Sequence, residues 1–200
     1  MKGKTKTAKH RSKFTINFYS HLNKCHMWCE SFLEMNYALT LEFDESVKSY
    51  CTQPEYFSVY GKRYTPDFLI EYKSGYSDYV EVKHTHFIDD DFFSLHHLRK
   101  EVIYQHNRHE LMLVSELDLD SKIISNYELL RPYKQIDVEP ITPLLVQLPR
   151  KLTLKRLEFH ISKHSNGTRA HAWALVAHQF FDFDARFNLG PDTLLMRRLG

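Results

Sequence analysis

The sequence predicts an α/β protein: a sheet flanked by helices, followed by a small C-terminal unit of a different kind. Two observations predict it. Along the chain the apolar period changes in the order helix, strands, helix, strand, helix. Four prolines, Pro132, Pro140, Pro143 and Pro149, then crowd into eighteen residues and separate that series from two further helical stretches. At 200 residues, with 42% hydrophobic and 26% charged side chains, the chain has a core to bury and is neither disordered nor fibrous in type. The longest apolar runs, 141–148 and 170–181, fall short of the roughly 20 residues a membrane span needs. Three cysteines make no disulfide framework, so the expected setting is a reducing cytoplasm.

Residues 1–20 read as a basic flexible arm, because Lys, Thr, Ser and Gly dominate and no apolar period begins before Phe14. Trp28, Leu33, Tyr37, Ala38 and Leu41 then recur at helical spacing and predict a first helix over 27–41. Alternating stretches at 47–51, 56–60, 64–72 and 79–83, with turns at Gln53-Pro54 and Gly61-Lys62, predict an antiparallel meander. Helical spacing returns over 90–108, 111–114 is a short strand, and 120–130 is a further helix. In the C-terminal unit, 153–163 and 168–179 read as helices joined by Ser165-Asn166-Gly167, with Thr168 as N-cap. The alternation of Phe with Asp or Arg over 181–187 predicts a ribbon after the second helix, a winged-helix-like arrangement. The expected units are thus 1–20, 21–135 and 136–200.

A net charge of +2 conceals a partition: +7 over residues 1–29, −10 over 30–148 and +5 over 149–200. Basic segments flanking an acidic middle suit a chain that holds a polyanion at both ends. Lys2, Lys4, Lys6, Lys9, Arg11 and Lys13 in the arm, with Lys155 and Arg156 in the C-terminal unit, are the candidate nucleic-acid contacts.

The sharpest chemical feature is Pro66-Asp67, thirteen residues, then Glu81-Val82-Lys83. A three-residue turn at Lys73-Ser74-Gly75 pairs Tyr72 with Tyr76 and sets Asp67 opposite Glu81, with Cβ atoms about 4.5–5.5 Å apart. A one-residue slip would separate the two carboxylates. The apolar pattern favours the first register, since Val80 and Val82 then share a buried face with Phe68 and Ile70. Carboxylates this close raise one another's pKa unless a cation neutralises them, and oxygen-only donors suit Mg²⁺ or Mn²⁺. Lys83 on the same face could orient or deprotonate water, or stabilise charge on a phosphate. An exposed hairpin with an ordinary cross-strand Glu and Lys has the same spacing. His21, Cys25 and Cys29 also recur at four-residue intervals, but no fourth zinc ligand stands at a recognisable spacing.

The order of these parts resembles the PD-(D/E)xK nuclease superfamily, in which a carboxylate from the preceding helix completes the site. More closely, Leu33-Glu34, Leu41-Glu42-Phe43-Asp44, Gln53-Pro54, Tyr64-Thr65-Pro66-Asp67-Phe68 and Glu81-Val82-Lys83 resemble TnsA, the endonuclease subunit of heteromeric transposases, from about Trp28 to Tyr133. The resemblance implies a restriction-endonuclease-like mixed sheet flanked by helices. It implies Glu34, Asp67 and Glu81 as metal ligands, with Glu30 the alternative to Glu34, and Lys83 as the catalytic lysine. Some TnsA proteins carry Gln where this chain has Glu81. The implied activity is Mg²⁺-dependent cleavage at the 5′ ends of a transposon, with Mn²⁺ able to substitute. Its implied partners are transposon-end DNA, the transposase TnsB and the AAA+ ATPase TnsC. The rival expectations are a free-standing restriction-type or repair nuclease and a catalytically silent adaptor of the same fold.

Overall fold

The computed structural model describes residues 14–164 and 166–198. The arm lysines Lys2, Lys4, Lys6, Lys9 and Lys13, together with Arg11 and the loop residue Ser165, lie outside the described residues.

The chain begins with a hairpin, β1 (Ile16–Ser20) against β2 (Cys25–Cys29), with Lys24 at positive φ in the turn. This corrects two expectations. Residues 16–20 are not an arm, since Phe18 and Ser20 are buried, and the first helix does not begin at Met27. Met27 and Cys29 point inward and Trp28 outward, a period of two that wins over the helical spacing because β1 supplies a ladder. It also removes the helical face that would have aligned His21, Cys25 and Cys29.

Helix α1 (Phe32–Leu41) starts where Ser31 caps it, its hydroxyl accepting the Glu34 amide at 3.1 Å. The sheet strands follow as β3 (Val47–Thr52), β6 (Phe68–Tyr72), β7 (Ser77–Val82) and β8 (Leu111–Val114), in that spatial order. Between β3 and β6 the chain makes a separate hairpin, β4 (Phe57–Val59) and β5 (Lys62–Tyr64), turning through Tyr60 and Gly61, both at positive φ. The expected strand over 64–72 is therefore two strands. Pro66 has no N–H to donate, and the break falls there.

β3–β6 and β6–β7 are antiparallel and β7–β8 parallel, so the sheet is mixed and not a pure meander. The parallel pair requires a crossover, supplied by α2 (Asp90–Asn107). A bulge interrupts β3 between Val47 and Ser49. The β6–β7 register runs Glu71↔Ser77 to Phe68↔Val80, and the Tyr72 amide reaches the Tyr76 carbonyl at 2.9 Å. Gly75 takes φ +88°, the left-handed position that the predicted three-residue turn requires. Phe68, Ile70, Val80 and Val82 face α1 and α3 (Ser121–Leu130) across the main core. Tyr79 and Leu69 face the other way, onto a smaller core of Phe57, Val59, Tyr64, Ile103 and Leu111.

The C-terminal unit comprises β9 (Lys151–Thr153), α4 (Leu154–Ser162), α5 (Arg169–Ala177), β10 (Phe181–Asp182) and β11 (Leu194–Arg197), with strand order β10-β11-β9. Gly167 in the connection lies so close to α4 that a Cβ would stand 1.9 Å from the Ile161 carbonyl oxygen. The expected ribbon over 181–187 shrinks to β10 alone. Beyond it the chain folds back on α3, where Asn126 Nδ2 donates to the Ala185 and Phe187 carbonyls at 2.7 and 2.8 Å and Oδ1 accepts from the Leu189 amide at 2.8 Å. Helix α5 buries Ala172, Ala174, Leu175, Val176 and Ala177, and Trp173 stacks on Tyr133. Buried residues of this unit join those packed on the sheet in one continuous core.

Candidate active site

The loop Thr65-Pro66-Asp67 delivers Asp67 to the head of β6. The Asp67 backbone bridges two strands, its amide donating to the Val80 carbonyl at 3.0 Å and its carbonyl accepting from Gln53 at 2.8 Å. The side chain takes over where the ladder stops: Oδ2 accepts the Val82 amide at 2.8 Å. Burial pushes the Asp67 carboxyl up to about 7. The Val82 hydrogen bond opposes the rise, and the neighbouring charges of Glu34, Glu81 and Glu30 add to it.

Glu34 reaches this place from the first turn of α1 and is 7% exposed. Its carboxylate also serves the helix, accepting from the Glu30 amide at 2.7 Å and the Ser31 hydroxyl at 2.9 Å. That reciprocal capping gives Glu34 a structural duty independent of chemistry.

Glu81 is the most heavily engaged of the three. Arg99 Nη1 from α2 donates to both carboxylate oxygens, at 2.7 and 2.9 Å, and the Tyr64 hydroxyl donates to Oε2 at 2.6 Å. Arg99 also lies over the Tyr64 ring at 4.2 Å. His96 Nδ1 stands 3.7 Å from Oε2, within ion-pair range but beyond a hydrogen bond, and has no other partner although it is buried. Burial would raise the Glu81 carboxyl, but His96, Tyr64 and Arg99 together hold it below the usual carboxylate range. Lys83, just past β7, extends its ammonium between the Phe87 and Phe92 rings, 5.8 Å from each centroid.

The four predicted residues thus sit on neighbouring ends of α1, β6 and β7. The donor set is oxygen-only and the charge crowding at Asp67 is what a hard divalent cation relieves, so composition and electrostatics fit Mg²⁺ or Mn²⁺. Glu81 is engaged by Arg99 here, and among the described residues no three His, Cys, Asp or Glu side chains are already grouped to hold a metal.

Sequence reasoning did not place Arg99, Tyr64 or His96 on Glu81. Residues 96 and 99 are one helical step apart, so both reach the same point on the sheet, but nothing in their spacing says which carboxylate lies there. Among the candidate nucleic-acid contacts within the described residues, Lys155 and Arg156 are exposed on α4 beside Phe159, which lies 4.0 Å beneath Lys163.

No protein-family model matches this chain, and no curated protein is significantly similar to it.

Proposed function

We propose that the protein is a metal-dependent DNA endonuclease of the restriction-endonuclease-like fold, acting with a transposase and an ATPase at the 5′ ends of a mobile element. The observation that carries this reading is the β6–β7 register, which sets Asp67 across the hairpin from Glu81, with Lys83 two residues on and Glu34 brought in by the first turn of α1; the raised Asp67 carboxyl is in keeping with that crowding. Charge crowding of this kind costs stability and is found where chemistry needs it.

Asp67 and Glu34, joined by Glu81 once it is released from Arg99, are the residues that would hold a divalent cation, and such a cation would supply Lewis acidity toward a phosphate and a more acidic bound water. The chain's own residues divide the remaining work. Asp67, fixed by the Val82 amide, holds its proton up to about pH 7 while its neighbours are unneutralised. Lys83 carries the positive charge that can orient an attacking water or face the developing phosphate charge. The β9–α4–α5–β10–β11 order supports a winged-helix-like reading of the C-terminal unit. Since α5 is mostly buried, the surface offered to DNA or a partner is the outer face of α4, with Lys155 and Arg156.

A second reading, the catalytically silent adaptor, is favoured by one contact. With Arg99 and Tyr64 satisfying it, Glu81 needs no cation. Plasmid nicking in Mg²⁺, with the chain alone and with both partners, separates the two. Asp67→Ala and Lys83→Ala should abolish nicking, while Arg99→Gln should tighten Mn²⁺ binding by titration calorimetry because Glu81 is released. Absence of nicking under every condition, with Mn²⁺ affinity unchanged in Arg99→Gln, favours the adaptor.

A further inference from the structure

A cleft of about 950 Å³ opens at the tip of the β1–β2 hairpin, away from the carboxylates. His21 and Lys24 line it from the turn, Arg131 and Lys134 from the 3-10 turn after α3, and His178 from the end of α5. No described lining residue is acidic. Aromatic rings hold two of these cations in place, Arg131 over Phe18 at 5.1 Å and Lys134 over Phe43 at 4.2 Å. The buried Glu42 carboxylate is already committed, accepting from the Ser20 and Tyr50 hydroxyls and from the His21 and Leu22 amides. Burial pushes both His21 and His178 below the usual imidazole range. Lys134 pushes both further down, joined at His21 by Arg131, while Glu42 opposes at His21 and the hydrogen bond to the Ile136 carbonyl opposes at His178. Lys24, Arg131 and Lys134 bring the positive charge together here, one from the basic N-terminal part and two from the otherwise acidic middle of the chain.

The outer face of the hairpin leads into this cleft. Asn17, Tyr19, His26 and Trp28 turn to solvent, with Trp28 53% and Tyr19 40% exposed. Tyr19 stands edge-on to His21 and His26, at 5.2 and 5.1 Å, and itself lines the cleft. At the other end of the hairpin, Cys29 is close enough to Glu34 and Asp67 for their charges to help burial push its thiol up to about 12. Helix α1 spans the same interval, from Glu34 in its first turn to Glu42 at its C-cap. Eight residues of helix are about 12 Å, the rise of three to four nucleotides along one DNA strand.

Resting on the nuclease reading, we propose that the hairpin face and the basic cleft form a DNA track. Backbone phosphates occupy the cleft three to four nucleotides from the scissile position, and Trp28 and Tyr19 pack against bases or sugars between. Aligned cations and exposed aromatics are the combination by which proteins hold a nucleic-acid strand. An acidic peptide would match the charge and leave the aromatic strip without a role.

The test is fluorescence anisotropy of a labelled duplex bearing a single-stranded overhang, in EDTA, over a range of NaCl. Lys24→Glu combined with Arg131→Glu should weaken binding at least tenfold and lower the log–log salt slope by about two. Lys24→Glu alone, at an exposed residue, should lower the slope by about one and guards against misfolding of the double variant. Trp28→Ala should weaken overhang binding about fivefold with the slope unchanged. Normal affinity and slope in Lys24→Glu and Trp28→Ala would overturn the track even if the chain nicks DNA. Loss of binding in these variants of a chain that never nicks would keep the track and discard the nuclease.

Discussion

Asp67 is a carboxyl whose proton the folded chain holds well above the usual carboxylate range, and this has a measurable sign. Its pKa is raised to about 7 from an unfolded value of 3.8. Ionisation therefore costs nothing below about pH 4, destabilises the fold progressively between 4 and 7, and costs its full amount above. Asp67→Asn keeps an oxygen for the Val82 amide and removes the charge. In EDTA it should melt several degrees higher than wild type at pH 8, with the difference vanishing near pH 4, as read by calorimetric scans. Equal pH profiles for the two proteins would show that Asp67 is ionised at no cost. The pairing of Asp67 with Glu81 was legible in the sequence because strand parity and turn length set it, and both are written in Tyr72 to Tyr76, whereas Glu34 came only from the family resemblance. Arg99 was not, because its partner is chosen by how α2 docks, a tertiary fact without a local period.

At the scale of elements, α2, β8, α3, α4 and α5 were readable from spacing and caps to within two residues at each end. The failures share one cause. Trp28 counted toward a helical stripe, and only the presence of β1 converts 25–29 into a strand. The Phe–Asp alternation after β10 looked like a ribbon until Asn126 claimed its carbonyls. Helical and strand periods over five residues overlap, and a distant partner decides between them. The α4–α5 connection makes an independent prediction. Gly167→Ala must move a backbone carbonyl to place its methyl, and chemical denaturation should show a loss of about 1–3 kcal/mol. A neutral result would mean that the connection has room to shift.

Across the whole molecule, amide side chains join the sheet domain to the C-terminal unit: Gln179 donates to the Phe43 carbonyl at 2.8 Å, and Asn126 makes the larger set of contacts. Asn126, 3% exposed, satisfies two carbonyls and one amide of the segment between β10 and β11. Asn126→Ala should cost about 2–4 kcal/mol, since it leaves buried backbone groups unpaired. Hydrogen exchange at the Leu189 amide should accelerate more than at the amides of β6 and β7. Uniform acceleration would point to global loosening instead of release of this clip.

The sheet also has two outer strands, and each is closed to a visiting chain. β3 is kinked by its bulge, exposes Lys48 in an ion pair with Glu71 at 2.6 Å, and gives its Tyr50 amide to the Asn23 side chain at 3.2 Å. β8 is four residues long and ends at Ser115, whose amide and hydroxyl turn back to Asp118. Bulges, charges and short length are the means by which sheet edges avoid aggregation. Both edges of the central sheet thus disfavour strand addition, which leaves the other surfaces of the chain, the hairpin face among them, as the places for a partner to dock.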